Sequence, residues 1–229
     1  MLTLAKVNSN KHILEFIKKS EESLKAIGYT DHGLTHSQLV ADRARTIAQE
    51  LGLSKEEQEQ AAISGFCHDM ANFLSRPFHY YFGALLFYEV FKESVDIKEL
   101  IPIMQAISLH DKEDEELSLS KEELELTNPV QAVLVIADKS DVRRSRVTTA
   151  DMDKIKNDIH DRVNYATELS KLRIDEKHKQ IILTLKIDTN FVPIMEYFEI
   201  FTRRMVYCRQ AAEFLGYRFG LIINNFRLL

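Results

Sequence analysis

The stretch Phe66-Cys67-His68-Asp69-Met70 sets an imidazole and a carboxylate side by side within an apolar helical run that begins at Ala61. An ionised carboxylate left unpaired on such a face costs several kcal/mol, so the surrounding fold must bring it a compensating charge. Either a buried cation or a metal ion would serve. The sequence offers no lysine or arginine on a core stripe to pair with Asp69, but it does offer further groups of metal-ligand type.

The flanking apolar pattern is helical. Residues 8–27 carry Leu14, Ile17, Leu24 and Ile27 at helical spacing and stop at Gly28. The turn Tyr29-Thr30-Asp31-His32-Gly33 leads to a helix with the stripe His36, Val40, Ala44, Ile47 and Leu51, closed by Gly52. Ser54-Lys55-Glu56-Glu57 is a capping box that opens the helix bearing the doublet, with Ala62, Phe66, Asp69 and Phe73 on one face. Pro77 suits the first turn of the next helix, along which His79, Phe82, Leu86 and Val90 recur. A helix over about residues 96–110 runs Leu100, Ile103, Ile107 and His110. The acidic stretch Asp111 to Glu125 reads as a solvated loop with a short helix, because its charges are costly to bury. After Asn128-Pro129, a helix aligns Asp138 with Val130 and Leu134.

From about Thr148 the character changes. A helix to about Asp161 precedes a weak strand from Val163 to Leu172 and a clear one in which Ile181, Leu183, Leu185 and Ile187 alternate with Ile182, Thr184 and Lys186. A long helix follows, with Phe191, Met195, Phe198, Phe201, Met205, Cys208, Ala212 and Leu215 on one stripe, then a strand near Phe219 to Ile223. The expected fold is mainly α: a helical domain over residues 1–147 and a small β-β-α-β appendage over 148–229. The stripe of the long helix fills the core of the appendage, with a homodimer contact as its functional alternative.

Composition narrows the function. A chain of 229 residues with 45% hydrophobic residues, 7 Gly and 4 Pro can bury a sizeable core. Its net charge of -5 argues against a stable nucleic-acid complex or an anionic membrane surface as partner. Cys67 and Cys208 lie far apart within apolar helical patterns, which argues against a disulfide framework. No apolar run is long enough to span a membrane and the N-terminus lacks signal-peptide character, so the expected location is cytoplasmic.

Five groups of ligand type then fall on the apolar faces of five successive helices: His36, the His68-Asp69 pair, His79, His110 and Asp138. A single core histidine is usually a hydrogen-bonded structural residue. The full series, with two buried carboxylates, is not explained that way. Mixed imidazole and carboxylate donors suit Fe, Mn, Co, Ni or Zn, with Mg also compatible. His32 stands one helical turn before His36 as a supporting group or an exposed turn residue, whereas His12, His160 and His178 lie in charged stretches and take no role.

The order His, His-Asp, His, His, Asp over residues 30–146 resembles the HD-domain superfamily of metal-dependent phosphohydrolases. The local sequence fits too: His36-Ser37 with Val40 downstream, His79 before Gly83-Ala84, Ala106-Ile107 before His110, and Ala137-Asp138. The six-ligand form is similar to the branch that holds two metals, including bacterial dinucleoside tetraphosphate hydrolases and HD-GYP phosphodiesterases. The Gly-Tyr-Pro signature of the latter is missing, and Asp111 follows His110 where those enzymes tend to carry a second histidine.

The resemblance implies two divalent or mixed-valent transition metals bridged by Asp69, with His36, His68 and Asp138 at one and His79 and His110 at the other. It implies Asp69 and His68 at the heart of catalysis and a hydroxide, held between the metals, attacking a phosphoester or phosphoanhydride of a nucleotide-like substrate. The basic stretch Lys139-Ser140-Asp141-Val142-Arg143-Arg144-Ser145-Arg146 follows the last ligand. Lys139, Arg143 and Arg144 are the expected phosphate-binding residues, Arg144 occupying the place of an arginine in the tetraphosphate hydrolases, and Asp141 is an expected supporting group. The alternatives are a nucleotide-sensing regulatory module without turnover and a di-iron oxygenase-type member of the superfamily.

Overall fold

Two helix backbones touch at a glycine, and the site is built where they meet. The computed structural model describes residues 1–111 and 124–228. The chain enters through α1 (Leu4–Val7) and α2 (Lys11–Ala26), so the first expected helix begins later and is preceded by a separate turn. The Asn10 side chain accepts from the backbone N–H groups of His12 and Ile13 and fixes the start of α2. Ile13, Ile17 and Leu24 face inward, while Ile27, just past the helix, is exposed.

Helix α3 (Leu34–Glu50) buries His36, Val40, Ala44 and Ile47. Gly52, at a φ of 72°, then turns the chain into α4 (Lys55–Cys67). The capping box is formed: Glu57 N–H donates to Ser54, and the Glu57 carboxylate accepts from Ser54 N–H. A Cβ on Gly65 would lie 2.9 Å from Ala41 Cα and N, backbone atoms of α3 with no freedom to yield. Gly65 is therefore what lets the two helices close to backbone contact. Helix α4 ends earlier than its apolar pattern suggests: His68 is its C-cap, and Asp69 to Phe73 continue in turns.

Pro77 lies in the turn ahead of α5 (His79–Phe91) rather than inside its first turn. The buried face of α5 is also rotated from the expected one, with Phe82 exposed and His79, Gly83, Ala84 and Phe87 inside. Helix α6 (Ile97–Leu109) is capped by Asp96 and ends just before His110. Helix α7 (Pro129–Lys139) is capped by a reciprocal Asn128–Gln131 pair. It is covered on all sides, with Val130 through Ala137 buried. Each valine, leucine or isoleucine among them contributes about 1.5–3 kcal/mol from burial before conformational entropy is charged against it.

The C-terminal part differs from expectation at its start. After a 3-10 turn (Arg144–Arg146), the residues expected as one helix form two, α8 (Met152–Asn157) and α9 (Ile159–Ala166), with the carboxylates of Asp151 and Asp158 capping them. The first half of the expected Val163–Leu172 strand is thus helical, and β1 spans Thr167–Asp175. It pairs antiparallel with β2 (Gln180–Ile187). The long α10 (Ile194–Phe214) is the crossover that a parallel partner requires, and β3 (Arg218–Ile223) runs parallel to β2.

A short β4 (Phe226–Arg227), absent from the sequence reading, completes the order β1-β2-β3-β4. Asn224 and Asn225 both take positive φ in its two-residue hairpin, a conformation that asparagine tolerates well. On α10, Tyr197, Phe201, Met205, Cys208 and Ala212 are buried, while Met195 is exposed. One hydrophobic cluster runs from α3 and α7 through Tyr197, Phe201, Leu183 and Leu221. The appendage therefore shares its core with the helical part, which fixes α9 and α10 beside the site.

Candidate metal centre

Four histidines converge with the same orientation. Each donates its Nδ1–H to a fixed acceptor: His36 to Asp141 Oδ2 at 2.8 Å, His68 to Gly65 O at 2.8 Å, His79 to Arg76 O at 2.7 Å and His110 to Ile107 O at 2.7 Å. Three of these acceptors are carbonyls three residues upstream, left free at a helix end or turn. Occupying Nδ1 in this way leaves each Nε2 as the ligand atom.

The Nε2 atoms meet in pairs. His36 and His68 are 3.2 Å apart, as are His79 and His110. Two lone pairs at that distance repel unless a proton or a metal ion lies between them. Donors bound ~2.1 Å from one ion at near-right or tetrahedral angles stand roughly 3.0–3.4 Å apart, so both pairs fit a shared metal.

Asp69 lies between the pairs. Its Oδ2 is 3.2 Å from His68 Nε2 and 3.7 Å from His36 Nε2, while Oδ1 is 3.2 Å from His79 Nε2 and 3.7 Å from His110 Nε2. Asn72 Nδ2 donates to Oδ1 at 3.0 Å and steadies the carboxylate. Asp138 Oδ1 stands 3.5 Å from both His36 and His68 Nε2. Two groups that could hold an ion thus share Asp69: His36, His68 and Asp69, and Asp69, His79 and His110. All five of these residues are buried.

The buried charges are otherwise compensated by side chains that the sequence reading placed elsewhere. Asp111 was expected in a solvated loop; it is buried, 2.6 Å from Lys139 Nζ and 3.2 Å from Arg76 Nη2. The rest of that acidic stretch, up to residue 123, lies outside the described residues. Lys139, expected to face a substrate phosphate, is buried between Asp111 and Asp138, whose Oδ2 is 3.2 Å away. Asp141 receives Arg143 Nε at 2.8 Å and Arg146 Nη1 at 3.8 Å besides His36.

Buried cations therefore do exist in this core, contrary to the sequence reading. They are spent on Asp111, Asp138 and Asp141. Asp69 has no lysine or arginine within ion-pair distance among the described residues; imidazoles and the neutral Asn72 amide face it. A metal remains the fitting counter-charge.

Electrostatics agree with this layout. Burial opposes ionisation of Asp69, but His68, His110 and His79 hold its carboxyl well below the usual range. Asp138, by Lys139 and its two histidines, and Asp111, by Lys139 and Arg76, are likewise held low against burial. Burial disfavours the His68 imidazolium, yet Asp69 and Asp138 outweigh it and raise its pKa to about 10. Burial lowers the pKa of His110. Burial pushes the Cys67 thiol up, so the residue beside the doublet is an inert core group.

The remaining expected residues are placed as follows. His32 is half-buried with its ring 5.6 Å from that of His36. It donates Nδ1–H to Thr30 O at 2.6 Å and accepts from Arg146 Nη2 at 3.1 Å, and burial together with Arg146 keeps it neutral. Arg143 is turned to Asp141 and Ser145, with Nη2 buried and lacking an acceptor. Arg144 is exposed and leans on α9, donating to Tyr165 O at 2.6 Å over the Tyr165 ring. Sequence reasoning missed Arg76 and Asn72, and saw Arg146 only as part of the basic stretch. Arg76 stands three residues before His79 and Asn72 three after Asp69, a helical-turn spacing that would have pointed to both.

No helix among the described residues is long and apolar enough to cross a membrane. No curated protein matches the chain. The family model described as HD domain matches residues 33–143, the segment that contains every one of these histidines and aspartates except His32, and over that segment the chain is similar to HD domains.

Proposed function

We propose that the protein is a phosphohydrolase that cleaves a phosphoester or phosphoanhydride of a nucleotide-like substrate at a two-metal centre. One site would comprise His36, His68, Asp138 and Asp69 Oδ2, the other His79, His110 and Asp69 Oδ1. The observation that carries this reading is the opposed aim of the two Asp69 oxygens, each 3.2 Å from a different histidine Nε2. Divalent ions bound there would acidify a water and neutralise charge on the phosphorus under attack.

The chain's own residues hold that arrangement in place. Asp69 would serve both sites, with Asn72 orienting its carboxylate. The Nδ1 acceptors fix all four ring orientations, and Asp141 additionally balances the charge of Arg143 and Arg146. Lys139 offsets Asp138 and Asp111, so the local carboxylates do not repel an incoming phosphate as strongly as their number suggests. Arg76, between Asp111 and the His79 ring, is the guanidinium nearest the second pair and supports phosphate-oxygen capture there.

The test is hydrolysis by metal-loaded protein of bis(p-nitrophenyl) phosphate and a panel of nucleotides. Turnover that Asp69→Ala abolishes, with the circular dichroism spectrum unchanged, is expected. Metal-loaded wild type that turns over none of them contradicts the reading.

A further inference from the structure

We propose that the appendage supplies an anion-binding subsite to the metal centre, in which Arg204 holds a second anionic group of the substrate. This rests on the phosphohydrolase reading and specifies what that substrate carries. A cavity of about 620 Å³ opens beside the histidine cluster, a size that suits a small-molecule ligand. One wall bears Tyr29, His32, Arg76 and Arg146; the other is Phe201 and Arg204 of α10 with His160 of α9. Two of its lining residues, His32 and Arg76, adjoin ligands from the two halves of the centre. The His32 ring lies 5.6 Å from the His36 ring, and Arg76 Nη1 is 3.4 Å from His79 Nε2.

The charge of this cavity is opposite to that of the protein. Three guanidinium groups line it against one carboxylate, Asp158, whose Oδ1 is taken up capping α9 through Asp161 N–H at 3.0 Å. The whole chain carries a net charge of -5. Arg76 pairs with Asp111, and Arg146 is spread over Asp141, Asp31 O and His32, although its Nε is buried without an acceptor.

Arg204 differs from both. It makes no hydrogen bond or ion pair among the described residues, and its guanidinium lies 5.0 Å over the Phe201 ring. Phe201 is itself buried and stacked on Tyr197 at 5.0 Å. Stacking fixes the guanidinium plane and leaves its N–H edges for bidentate capture of a phosphate or carboxylate. A preordered, unpaired donor fork facing a cationic cavity is suited to an anion, and its position on α10 lies outside the segment matched by the HD-domain model. The substrate class that fits has at least two anionic groups, one at the metals and a second at Arg204.

The experiment titrates metal-loaded, full-length protein by calorimetry with inorganic tripolyphosphate and, separately, inorganic phosphate, with metal content verified after each titration. Arg204→Gln is expected to weaken tripolyphosphate binding tenfold or more and leave phosphate binding within twofold, whereas Arg204→Lys loses less for tripolyphosphate. Arg204→Gln that binds both probes as wild type does, or that loses both equally, overturns the subsite. Should Arg204→Gln fail to fold, Arg204→Lys decides: selective loss for tripolyphosphate supports the proposal and unchanged binding overturns it. The titrations need no turnover. A protein that binds the probes as expected yet hydrolyses no phosphate compound therefore contradicts the reaction and leaves the subsite standing.

Discussion

Lys139 Nζ lies 2.6 Å from Asp111 Oδ1, and both side chains are buried beside the metal-ligand cluster. Removing the ammonium leaves Asp111 and Asp138 buried with less compensation, and breaking a buried pair of this kind costs about 3–5 kcal/mol. Lys139→Met is expected to lower stability by that order in urea unfolding. Adding Asp111→Asn to it should recover part of the loss, because the second carboxylate no longer needs the charge. Additive losses in the double variant would contradict the coupling.

Asp141 reaches the centre through one hydrogen bond, accepting His36 Nδ1–H at 2.8 Å. Asp141→Asn weakens control of the tautomer that keeps His36 Nε2 free. The expected result is a loss of about 10–100-fold in metal affinity, measured by competition with a chromogenic chelator. Affinity equal to wild type would show that His36 needs no such support.

Gly65 sits where α4 meets the α3 backbone, with a Cβ position 2.9 Å from Ala41 N and Cα. Gly65→Ala must push the helices apart and is expected to cost about 1–3 kcal/mol in chemical denaturation. Since the same contact sets the 3.2 Å approach of His36 and His68, metal affinity should fall with stability. A fully stable Gly65→Ala protein with normal metal binding would contradict the close approach.

Proton release on metal binding follows from His68. Without metal its pKa is raised to about 10, above the ordinary histidine value, so the imidazole is protonated at pH 7–8. In the metal-free protein this raised value adds stability that is fully present below the unfolded-state pKa of about 6.5 and is lost as pH rises through about 10. A metal needs the neutral ring, so binding at pH 7–8 should expel about one proton and tighten as pH rises toward 10. Calorimetry in two buffers of different ionisation enthalpy measures this directly. Identical heats in the two buffers would contradict it.

The order of ligands was legible in the sequence because each lies on an apolar face, where a polar group stands out against helical periodicity. His36, His68, His79 and His110 all lie where such a reading looks. Their compensating partners were not legible in the same way. Lys139 and Asp111 are neighbours of ligands in sequence, but a charged residue beside a helix end reads as solvated until the opposite wall is known. Arg76 likewise becomes part of the site through a turn that brings it to Asp111, a separation of thirty-five residues that local pattern does not carry. In the appendage, β2 declared itself by the alternation of Leu183, Leu185 and Ile187 with Thr184 and Lys186, although Ile182 is buried as well. The start of β1 did not, because Val163 and Ala166 enter the shared core as the last turn of α9 rather than as strand residues. His160, set aside as a charged-stretch residue, reaches the cavity only through that helix.

Metal stoichiometry tests most directly whether Asp69 joins two metal sites. Protein reconstituted with Mn²⁺ or Fe²⁺ under anaerobic conditions, desalted and measured by inductively coupled plasma mass spectrometry, is expected to hold two ions per chain. His79→Ala should retain one, on the His36 side, and Asp69→Ala should hold neither tightly while keeping its helical circular dichroism spectrum. Wild type that binds no metal, or Asp69→Ala that retains both ions, would contradict the shared bridge.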